Sequence, residues 1–130
     1  MNILKIQILQ FNVERGNVEK NMQNIKTKFN QYLDKDTSVV VLPEMWNNGY
    51  ALEELEQKAD KNLKDSSLFI KDLAHTFNVD IIAGSVSNIR ENHIYNTAFA
   101  INKNKELINE YDKVHLVQCY VSQTFYVVEM

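Results

Sequence analysis

Glu44 is the first candidate for acid–base chemistry in this sequence. It follows Pro43 directly, at the end of the apolar run "SVVVL" at 38–42. If that run is a buried strand, the carboxylate lies beyond its carboxyl end, where open α/β sheets bind their ligands. Partial desolvation there would raise the pKa of the Glu44 carboxyl toward the range of a general base. The alternative is a glutamate that ends a strand at the surface and has no chemical role.

Lys113 is the second candidate, and it lies in the segment "NEYDKVHL". Side chains alternate between the two faces of a strand, so Tyr111, Lys113 and His115 would share one face. Asp112 would point to the other. A lysine ammonium on such a face could stabilise a developing oxyanion. The alternative is an exposed lysine that pairs with Asp112 or Glu110.

The histidines and glycines do not suggest a cofactor site. His75, His93 and His115 are dispersed, and none has another His, Cys or Asp at the spacing of a zinc site. The three glycines are also far apart, so the sequence has no glycine-rich phosphate loop. We predict neither a metal site nor a phosphate-binding loop, and we assign the histidines structural or surface roles.

The hydrophobic patterns that must position these residues alternate between strand and helix. Short runs rich in β-branched residues are typical of strands, and apolar residues at helical spacing indicate helices. The order β-α-β-α-α-β-β-β predicts an α/β layer that begins with a crossover unit of neighbouring or parallel strands. The predicted elements are strand 3–11, helix 16–33, strand 38–44, a solvated helical stretch 51–65, helix 66–78, strand 79–87 and a hairpin of strands 93–102 and 106–116.

Two of the helices are predicted to be amphipathic. Ser66 or Ser67 is expected to cap the second of them, because serine side chains accept hydrogen bonds from the first turn of a helix. The apolar face of the first would consist of Val18, Met22, Ile25, Phe29 and Leu33, and that of the second of Leu68, Phe69, Leu73 and Phe77.

The composition is that of an ordinary globular protein. The chain has 130 residues, which suits one domain, with 45% hydrophobic and 24% charged residues. A net charge of −3 gives no reason to expect nucleic acid or an anionic membrane surface as a partner. The single cysteine cannot form an intramolecular disulfide, which favours a reducing compartment. With no signal peptide and no apolar run of about 18 residues, we predict a cytoplasmic protein.

Several segments, taken in their order along the chain, resemble the nitrilase (carbon–nitrogen hydrolase) superfamily. The resemblance begins in the first strand and in "GNVEKNMQNI". It continues in "VVVLPEMWNNGY", which is similar to the family's Pro-Glu segment, and then in "VDIIAGSVS", "IYNTAFAIN" and "EYDKVHL". Asn21, Gly84 and Asn96 lie within these segments and look unremarkable individually. The match covers residues 1–117, and its specificity comes from the order of the motifs.

The resemblance implies a fold, a reaction and a catalytic set. The fold would be a four-layer α-β-β-α sandwich, of which this α/β chain would form the first half, in a complete protein that is a homo-oligomer. A cysteine thiolate would attack a small-molecule amide or nitrile, with no metal or organic cofactor. By position, Glu44 would be the base that takes the thiol proton and later activates water. Lys113 would stabilise the tetrahedral intermediate.

The nucleophile is the point at which the sequence departs from the family pattern. Cys119 is the only cysteine and follows Lys113 by six residues, whereas the family's nucleophile lies much further along. The segment 118–130, "QCYVSQTFYVVEM", contains no Gly or Pro for the tight turn that carries that nucleophile. We therefore expect 1–117 to be the N-terminal part of the hydrolase domain. Residues 118–130 would be a divergent tail that arises from truncation or a frameshift, and Cys119 would not be the nucleophile.

The prediction is an amidase-type hydrolase whose present chain is inactive because it lacks the nucleophile. The alternative is a non-catalytic binding module or a functionless remnant of the same family. A flavodoxin-like binding domain is a further alternative, but "NVERGNVEKN" is a poor phosphate-binding loop. Because family domains are about twice as long, we also expect an exposed apolar sheet face, and large patches of this kind drive association.

Overall fold

A computed structural model describes residues 3–113, 116–121 and 124–129 of the chain, with side chains described within 3–113. Strands and helices alternate, so the α/β prediction is confirmed. The helices are α1 (Val18–Tyr32), α2 (Leu55–Lys58) and α3 (Lys64–Phe77). The strands are β1 (Ile6–Ile8), β2 (Val39–Val41), β3 (Asp60–Lys61), β4 (Asp80–Arg90), β5 (His93–Ile101), β6 (Leu107–Asp112), β7 (Leu116–Val121) and β8 (Thr124–Glu129).

Six strands form the main sheet, in the order β1-β2-β4-β5-β6, with β3 paired to β4. β1, β2 and β4 run parallel, which confirms the crossover unit predicted for β1, α1 and β2. β5 is antiparallel to both β4 and β6. The β4–β5 turn has Glu91 and Asn92 at positive φ, as a tight two-residue hairpin requires. β7 and β8 form a separate two-stranded sheet.

The main hydrophobic core lies between the sheet and the helices α1 and α3. Ile25 and Phe29 of α1 are buried, as their spacing predicts, and Val18, Met22 and Leu33 are partly buried. The α1 side chains pack with buried residues of α3 and of the strands β2, β4 and β5. The two helices therefore cover one face of the sheet.

The start of α3 differs from the prediction. The helix begins at Lys64, before both Ser66 and Ser67, and no side chain of the preceding residue caps it. The carboxylate of Asp60 in β3 instead accepts hydrogen bonds from the backbone N–H groups of Asp65 and Ser66. The serine N-cap prediction is wrong because the acceptor comes from the strand before the helix.

The apolar face of α3 is also rotated relative to the prediction. Leu68 is 59% exposed, whereas Ile70 is fully buried. Leu73 is buried, and Phe69 and Phe77 are partly buried, as predicted. At 3.6 residues per turn, position 68 is rotated by about 200° from position 70. Both residues cannot face the same core, and the sheet contacts Ile70.

The stretch 51–65 is not the single solvated helix that its charge pattern indicates. A 3₁₀ turn at Leu52–Glu54 leads into the one turn of α2, and β3 then pairs with Asn88 and Ile89 of β4. Asn62 and Leu63 have positive φ, which a right-handed helix does not allow. Pairing with β4 therefore overrides the helical propensity of this segment.

Several strands are shorter than predicted. β1 occupies three residues of 3–11, and β2 occupies three of 38–44. β6 ends at Asp112, so Lys113 lies just after the strand rather than within it. His115 lies outside the described residues.

Apolar side chains of β1 and β4 are exposed on the face of the sheet opposite α1 and α3. Ile6, Ile8 and Ile82 on this face are 52%, 66% and 49% exposed. Ile8 and Ile82 align across the sheet because both pair with Val41 of β2. The exposed apolar face expected from the sequence is therefore present.

Candidate active site

β2 places Glu44 at the carboxyl end of the parallel strands, as the sequence predicts. The Leu42 N–H still donates to the Ile82 carbonyl of β4, at 2.9 Å. Pro43 has no N–H with which to continue the ladder, so the chain leaves the sheet there. Glu44 is the next residue, and its side chain is 38% exposed. The carboxylate is therefore partly desolvated, at an edge where α/β sheets bind ligands.

Gly84 permits β4 to approach the backbone just before Glu44. It has φ +57°, and β4 changes register between Ile82 and Ser85. A Cβ atom at this position would overlap the carbonyl oxygens of Leu42 and Pro43. Glycine is required both by the left-handed backbone and by the close contact. Nothing in the local sequence indicates this role, because the contact exists only after β2 and β4 have paired.

The residues after Glu44 are fixed to β4 by hydrogen bonds. Met45 N–H donates to Ser85 Oγ at 3.0 Å, and Trp46 N–H donates to the Ser85 carbonyl at 3.1 Å. The Trp46 indole donates to the Ala83 carbonyl at 2.7 Å. Met45 has φ +53°, a left-handed conformation that costs about 1–2 kcal/mol. These contacts hold a strained residue directly after Glu44, as is common at functional sites.

A network of buried polar side chains holds the loop that follows Glu44. Asn21, Asn47, Asn48 and Ser87 are each at most 1% exposed. The Asn47 side chain accepts from the Ser87 N–H at 2.9 Å and donates to the Ser87 carbonyl at 3.0 Å. Asn21 of α1 donates to the Asn47 carbonyl at 2.8 Å. The network ties the residues after Glu44 to both α1 and β4, so helix and sheet position the loop together.

Lys113 is brought to Glu44 by the pairing of β5 with β6. It follows β6 directly, and its backbone N–H donates to the Asn96 carbonyl of β5 at 3.0 Å. Its Nζ atom lies 2.5 Å from Glu44 Oε1, although the two residues are 69 positions apart. The Lys113 side chain is 29% exposed. The structure therefore brings together the two residues that the sequence singled out.

The alternative partners suggested for Lys113 do not bind it. Asp112 forms an ion pair with Arg90 and accepts a hydrogen bond from Thr97 Oγ1 at 2.7 Å. Hydrogen bonding to Asp112 raises the pKa of the Arg90 guanidinium. Glu110 is exposed on β6. Because Arg90 and Thr97 hold Asp112, the neighbouring ammonium of Lys113 pairs with Glu44 instead.

Within the described part of the chain, three side chains donate to the Glu44 carboxylate. Asn96 Nδ2 donates to Oε1 at 3.0 Å, Lys113 contacts the same oxygen, and the Tyr50 hydroxyl also hydrogen-bonds the carboxylate. Burial raises the pKa of the Glu44 carboxyl, but Lys113, Asn96 and Tyr50 together lower it below its ordinary value of 4.5. Desolvation acts as expected, but the expected upward net shift is wrong, because the adjacent cation and donors favour the ionised form.

Tyr50 responds to the same carboxylate. Burial, the negative charge of Glu44 and the hydrogen bond to it raise the pKa of Tyr50 to about 12. The phenol therefore remains a protonated donor at neutral pH. The Tyr50 backbone carbonyl accepts a hydrogen bond from the Arg15 guanidinium at 3.1 Å. Tyr50 closes the segment "VVVLPEMWNNGY", and nothing in that segment indicates its contact with Glu44.

His75 and His93 take no part in this arrangement. His75 lies on α3, and the ring of His93 contacts the Glu91 carbonyl at 2.9 Å. Within 3–113, 116–121 and 124–129, no group of three or more His, Cys, Asp or Glu residues could hold a metal ion. In the same part of the chain, no helix is both long enough and apolar enough to cross a membrane.

Cys119 lies on β7, in register with Tyr126 of β8. Its side chain is outside the described part of the structure, so the expectation that it is not the nucleophile stays a prediction.

A groove of about 680 Å³ runs between α1, α3 and residues 57–61. Neither Glu44 nor Lys113 lines this groove. The candidate pair instead lies at the carboxyl end of the parallel strands, and both side chains are partly exposed.

Comparison with known proteins identifies a family and related sequences. A family model described as carbon-nitrogen hydrolase matches residues 5–130. "Hydrolase in agr operon" of Staphylococcus aureus is 57% identical over 114 residues, 88% of this chain and 44% of that protein. "2-oxoglutaramate amidase" of Bacillus subtilis is 34% identical over 113 residues, 87% of this chain and 43% of that protein. The chain thus spans less than half the length of these relatives.

Solved structures show the same fold. Saccharomyces cerevisiae Nit3, described as a member of branch 10 of the nitrilase superfamily, has a TM-score of 0.73 at 27% identity, over 87% of this chain and 45% of that chain. XC1258 of Xanthomonas campestris, described as a CN-hydrolase superfamily protein, has a TM-score of 0.78 at 19% identity, over 96% of this chain and 52% of that chain. These matches confirm the nitrilase-type α/β fold. The domain boundary at residue 117 and the divergent tail stay predictions.

Proposed function

The chain belongs to the carbon–nitrogen hydrolase family, and from this premise we propose that Glu44 and Lys113 are catalytic residues for hydrolysis of a small-molecule amide or nitrile. The reaction would convert a small amide to an acid and ammonia. The observation that carries the proposal is the 2.5 Å contact between Lys113 Nζ and Glu44 Oε1. It joins a potential base to a potential oxyanion partner at the carboxyl end of the parallel strands.

Glu44 would act as the proton carrier of this reaction. Its pKa lies below 4.5, so the carboxylate is ionised at neutral pH and can accept a proton. It would take the proton of a cysteine thiol as the sulfur attacks the amide carbon, and would pass that proton to the departing ammonia. It would then take a proton from water as the water attacks the thioester, which releases the acid and restores the thiol.

Lys113 would stabilise the negative oxygen of the tetrahedral intermediates. The ammonium already lies against Glu44 at rest. As negative charge develops on the substrate oxygen, that oxygen would compete with Glu44 for the ammonium. Any movement of Lys113 away from the carboxylate would raise the basicity of Glu44, because the adjacent cation is among the causes that lower its pKa.

The nucleophile would come from a cysteine other than Cys119. The segment around Cys119 lacks the glycine-containing turn of the family pattern. We therefore propose that the 130 residues alone do not complete the reaction. The alternative, a non-catalytic binding module or a functionless remnant, does not account for the paired carboxylate and ammonium as well. A cytoplasmic location and a homo-oligomeric complete protein belong to the same proposal.

The names of two relatives favour an amide over a nitrile. The Bacillus subtilis relative is named 2-oxoglutaramate amidase, and a Saccharomyces cerevisiae relative at 26% identity is named an omega-amidase. Both names refer to hydrolysis of an amide group. We propose a small amide as the substrate class, with 2-oxoglutaramate as the first compound to test.

A chimeric enzyme tests the proposal. Residues 1–113 of this chain would replace the matching part of the Staphylococcus aureus relative, which is 57% identical over the 114 residues that match. The relative would supply the remaining sequence. Ammonia release from a panel of small amides would be measured for the chimera and for the unaltered relative. We expect the chimera to be active and Glu44→Gln or Lys113→Met to lower kcat/KM by at least about 100-fold.

Glu110→Gln is the matched control, because Glu110 is an exposed carboxylate on the strand just before Lys113. It should leave kcat/KM within about twofold of the parent chimera, since surface substitutions of this kind have small effects. A chimera that keeps its activity after Glu44→Gln would contradict the proposal. Ammonia release by the 130-residue chain alone would contradict its proposed inactivity.

A further inference from the structure

Asn96 is a buried residue that contacts both members of the Glu44–Lys113 pair. It lies on β5 opposite Ser87 of β4, and it has no exposed surface. Its Nδ2 atom donates to Glu44 Oε1 at 3.0 Å. Its backbone carbonyl accepts a hydrogen bond from the Lys113 N–H, also at 3.0 Å. One residue in the middle of the sheet is therefore bonded to the side chain of Glu44 and to the backbone of Lys113.

We propose that Asn96 is a positioning residue that holds Glu44 and Lys113 in the relative arrangement their proposed reaction needs. The inference deepens the proposed function and rests on it for its catalytic meaning. Asn96 would act through Glu44 and Lys113 rather than on the substrate.

The need for such a residue follows from the exposure of the pair. The side chains of Glu44 and Lys113 are 38% and 29% exposed. Exposed ion pairs between long side chains contribute little, because each side chain loses rotamer freedom when it is held. Asn96 is short and fully buried, and its strand is paired on both sides. A donor on such a rigid element can fix the carboxylate in a way that a flexible lysine cannot.

The geometry at Oε1 adds a second reason. Lys113 Nζ and Asn96 Nδ2 both lie within hydrogen-bond distance of this oxygen, at 2.5 Å and 3.0 Å. If Lys113 moves toward a substrate oxyanion, the bond from Asn96 remains. The carboxylate would then keep its orientation at the moment when it must transfer a proton. Asn96 would thus preserve the position of Glu44 throughout the reaction.

Asn96 also favours the ionised form of Glu44 without bringing a charge of its own. Its hydrogen bond is among the causes that lower the pKa of the Glu44 carboxyl, after burial, which raises it, and after Lys113. A neutral donor can do this without competing with Lys113 for the substrate oxyanion.

The first test uses the unmodified 130-residue chain and nuclear magnetic resonance. The Glu44 carboxyl carbon is followed as a function of pH, together with the side-chain amide resonances of Asn96. We expect the Asn96 amide shifts to follow the Glu44 titration, because Nδ2 donates to the ionising group. The side-chain amide of Asn88, which is equally buried but donates to Thr97 at 3.4 Å, should not follow it. An Asn96 amide that ignores the Glu44 titration overturns the proposal.

The second test replaces the amide. Asn96→Leu removes the donor at similar volume, and we expect the pKa of Glu44 to rise. Asn88→Leu is the matched control, since it removes a buried amide that bonds to the Leu63 N–H and Thr97 rather than to Glu44. The control should leave the Glu44 pKa unchanged even if it lowers stability. A folded Asn96→Leu variant with an unshifted Glu44 pKa overturns the proposal.

A third variant covers the case in which Asn96→Leu does not fold. Asn96→Asp is nearly isosteric and places a second carboxylate beside Glu44, so the Glu44 pKa should rise and the Lys113 amide resonance should shift with it. An unchanged Glu44 titration in Asn96→Asp contradicts the proposal. These titrations need no catalysis, so the positioning role and the hydrolase proposal can fail independently of each other.

Discussion

The two faces of the main sheet carry similar residues but meet different surroundings. Ile81 and Ile82 are neighbours on β4, yet Ile81 is 1% exposed and Ile82 is 49% exposed. Ile81 faces the core formed with α1 and α3, whereas Ile82 lies on the face that carries Ile6 and Ile8. Because side chains alternate along a strand, both faces of the sheet carry isoleucine. Among the described residues, α1 and α3 pack against one of these faces.

One face of the sheet therefore contributes the hydrophobic core, whereas the other carries apolar side chains that remain exposed. The helix-covered face holds most of the buried apolar side chains, and the loop after Glu44 is anchored to it through Trp46. The open face is apolar without being buried. A four-layer sandwich, which the family resemblance implies, would cover that face with a second sheet. The chain spans less than half of its Staphylococcus aureus and Bacillus subtilis relatives.

The largest predicted effect comes from a substitution that disrupts the close contact between β4 and the backbone just before Glu44. Gly84→Ala should lower the free energy of unfolding by about 3 kcal/mol or more, because it adds backbone strain to an overlap with two carbonyl oxygens. Urea unfolding measures this effect. Gly49→Ala is the control: Gly49 also has φ +57°, but its added Cβ would make only ordinary contacts. It should cost about 1–2 kcal/mol. Equal losses would contradict the close approach at Gly84.

The second prediction compares the two faces directly. Ile81→Ala should lower the free energy of unfolding by about 2–4 kcal/mol, because it leaves a cavity in the core. Ile82→Ala should cost about 1 kcal/mol or less, because the side chain is half exposed already. Both variants replace an isoleucine with alanine, and the two positions are adjacent on β4. Urea unfolding measures the free energy of unfolding of both. A larger loss for Ile82→Ala would mean that the open face is covered in solution.

The third prediction concerns the apolar surface of the open face. Replacing Ile8 and Ile82 with serine should reduce binding of a fluorescent hydrophobic dye, because the two side chains belong to one aligned apolar row. Leu68→Ser is the control, since Leu68 is 59% exposed but lies on α3. It should change dye fluorescence less than the double variant. An equal effect of both variants would argue against a continuous patch.

The fourth prediction is the smallest and concerns the edge where Glu44 lies. Glu44→Gln should lower the pKa of Tyr50 from about 12 toward its ordinary value of 10.0, because it removes the negative charge and the charged acceptor. Burial would keep part of the upward shift. Absorbance titration of the phenolate, with Tyr50→Phe subtracted, measures the change. A Tyr50 pKa that stays at about 12 would show that Glu44 does not contribute to it.

The sequence is sufficient to predict the α/β fold and the two candidate residues, because these depend on local patterns and on motif order. Glu44 lies beyond β2, where the apolar run places it, whereas Lys113 lies just after β6 and not within the predicted strand 106–116. The contact between Glu44 and Lys113 could be expected only from the family resemblance, because hydrophobic patterns do not predict which strands become neighbours in the sheet.

The supporting residues could not be predicted from the sequence. Gly84 is required only because β4 approaches the carbonyls of Leu42 and Pro43. Asn96 contacts Glu44 because antiparallel pairing places it there. Asp60 takes the place of the predicted serine cap of α3. It lies on the short strand β3, whereas the charge pattern of 51–65 indicates a helix. In each case a tertiary contact decides the role of a residue whose local sequence is ordinary.

The direction of the Glu44 pKa shift depends on a balance that sequence cannot supply. Burial alone would raise it, and the donors around the carboxylate reverse the sign. Because the folded pKa is depressed, the stabilisation that the ionised carboxylate contributes is present above pH 4.5 and is lost as the pH falls through the lower folded value.

The pKa of Glu44 in the unmodified chain is therefore the most direct test of whether Glu44 and Lys113 form an ion pair. Carboxyl-carbon resonances would be titrated in the wild-type chain and in Lys113→Met, with Glu44→Gln used to assign the signal. We expect a wild-type pKa below 4.5 and a higher value in Lys113→Met, because removal of the cation leaves burial less opposed. A wild-type pKa at or above 4.5 that does not change in Lys113→Met would show that Glu44 and Lys113 are not paired.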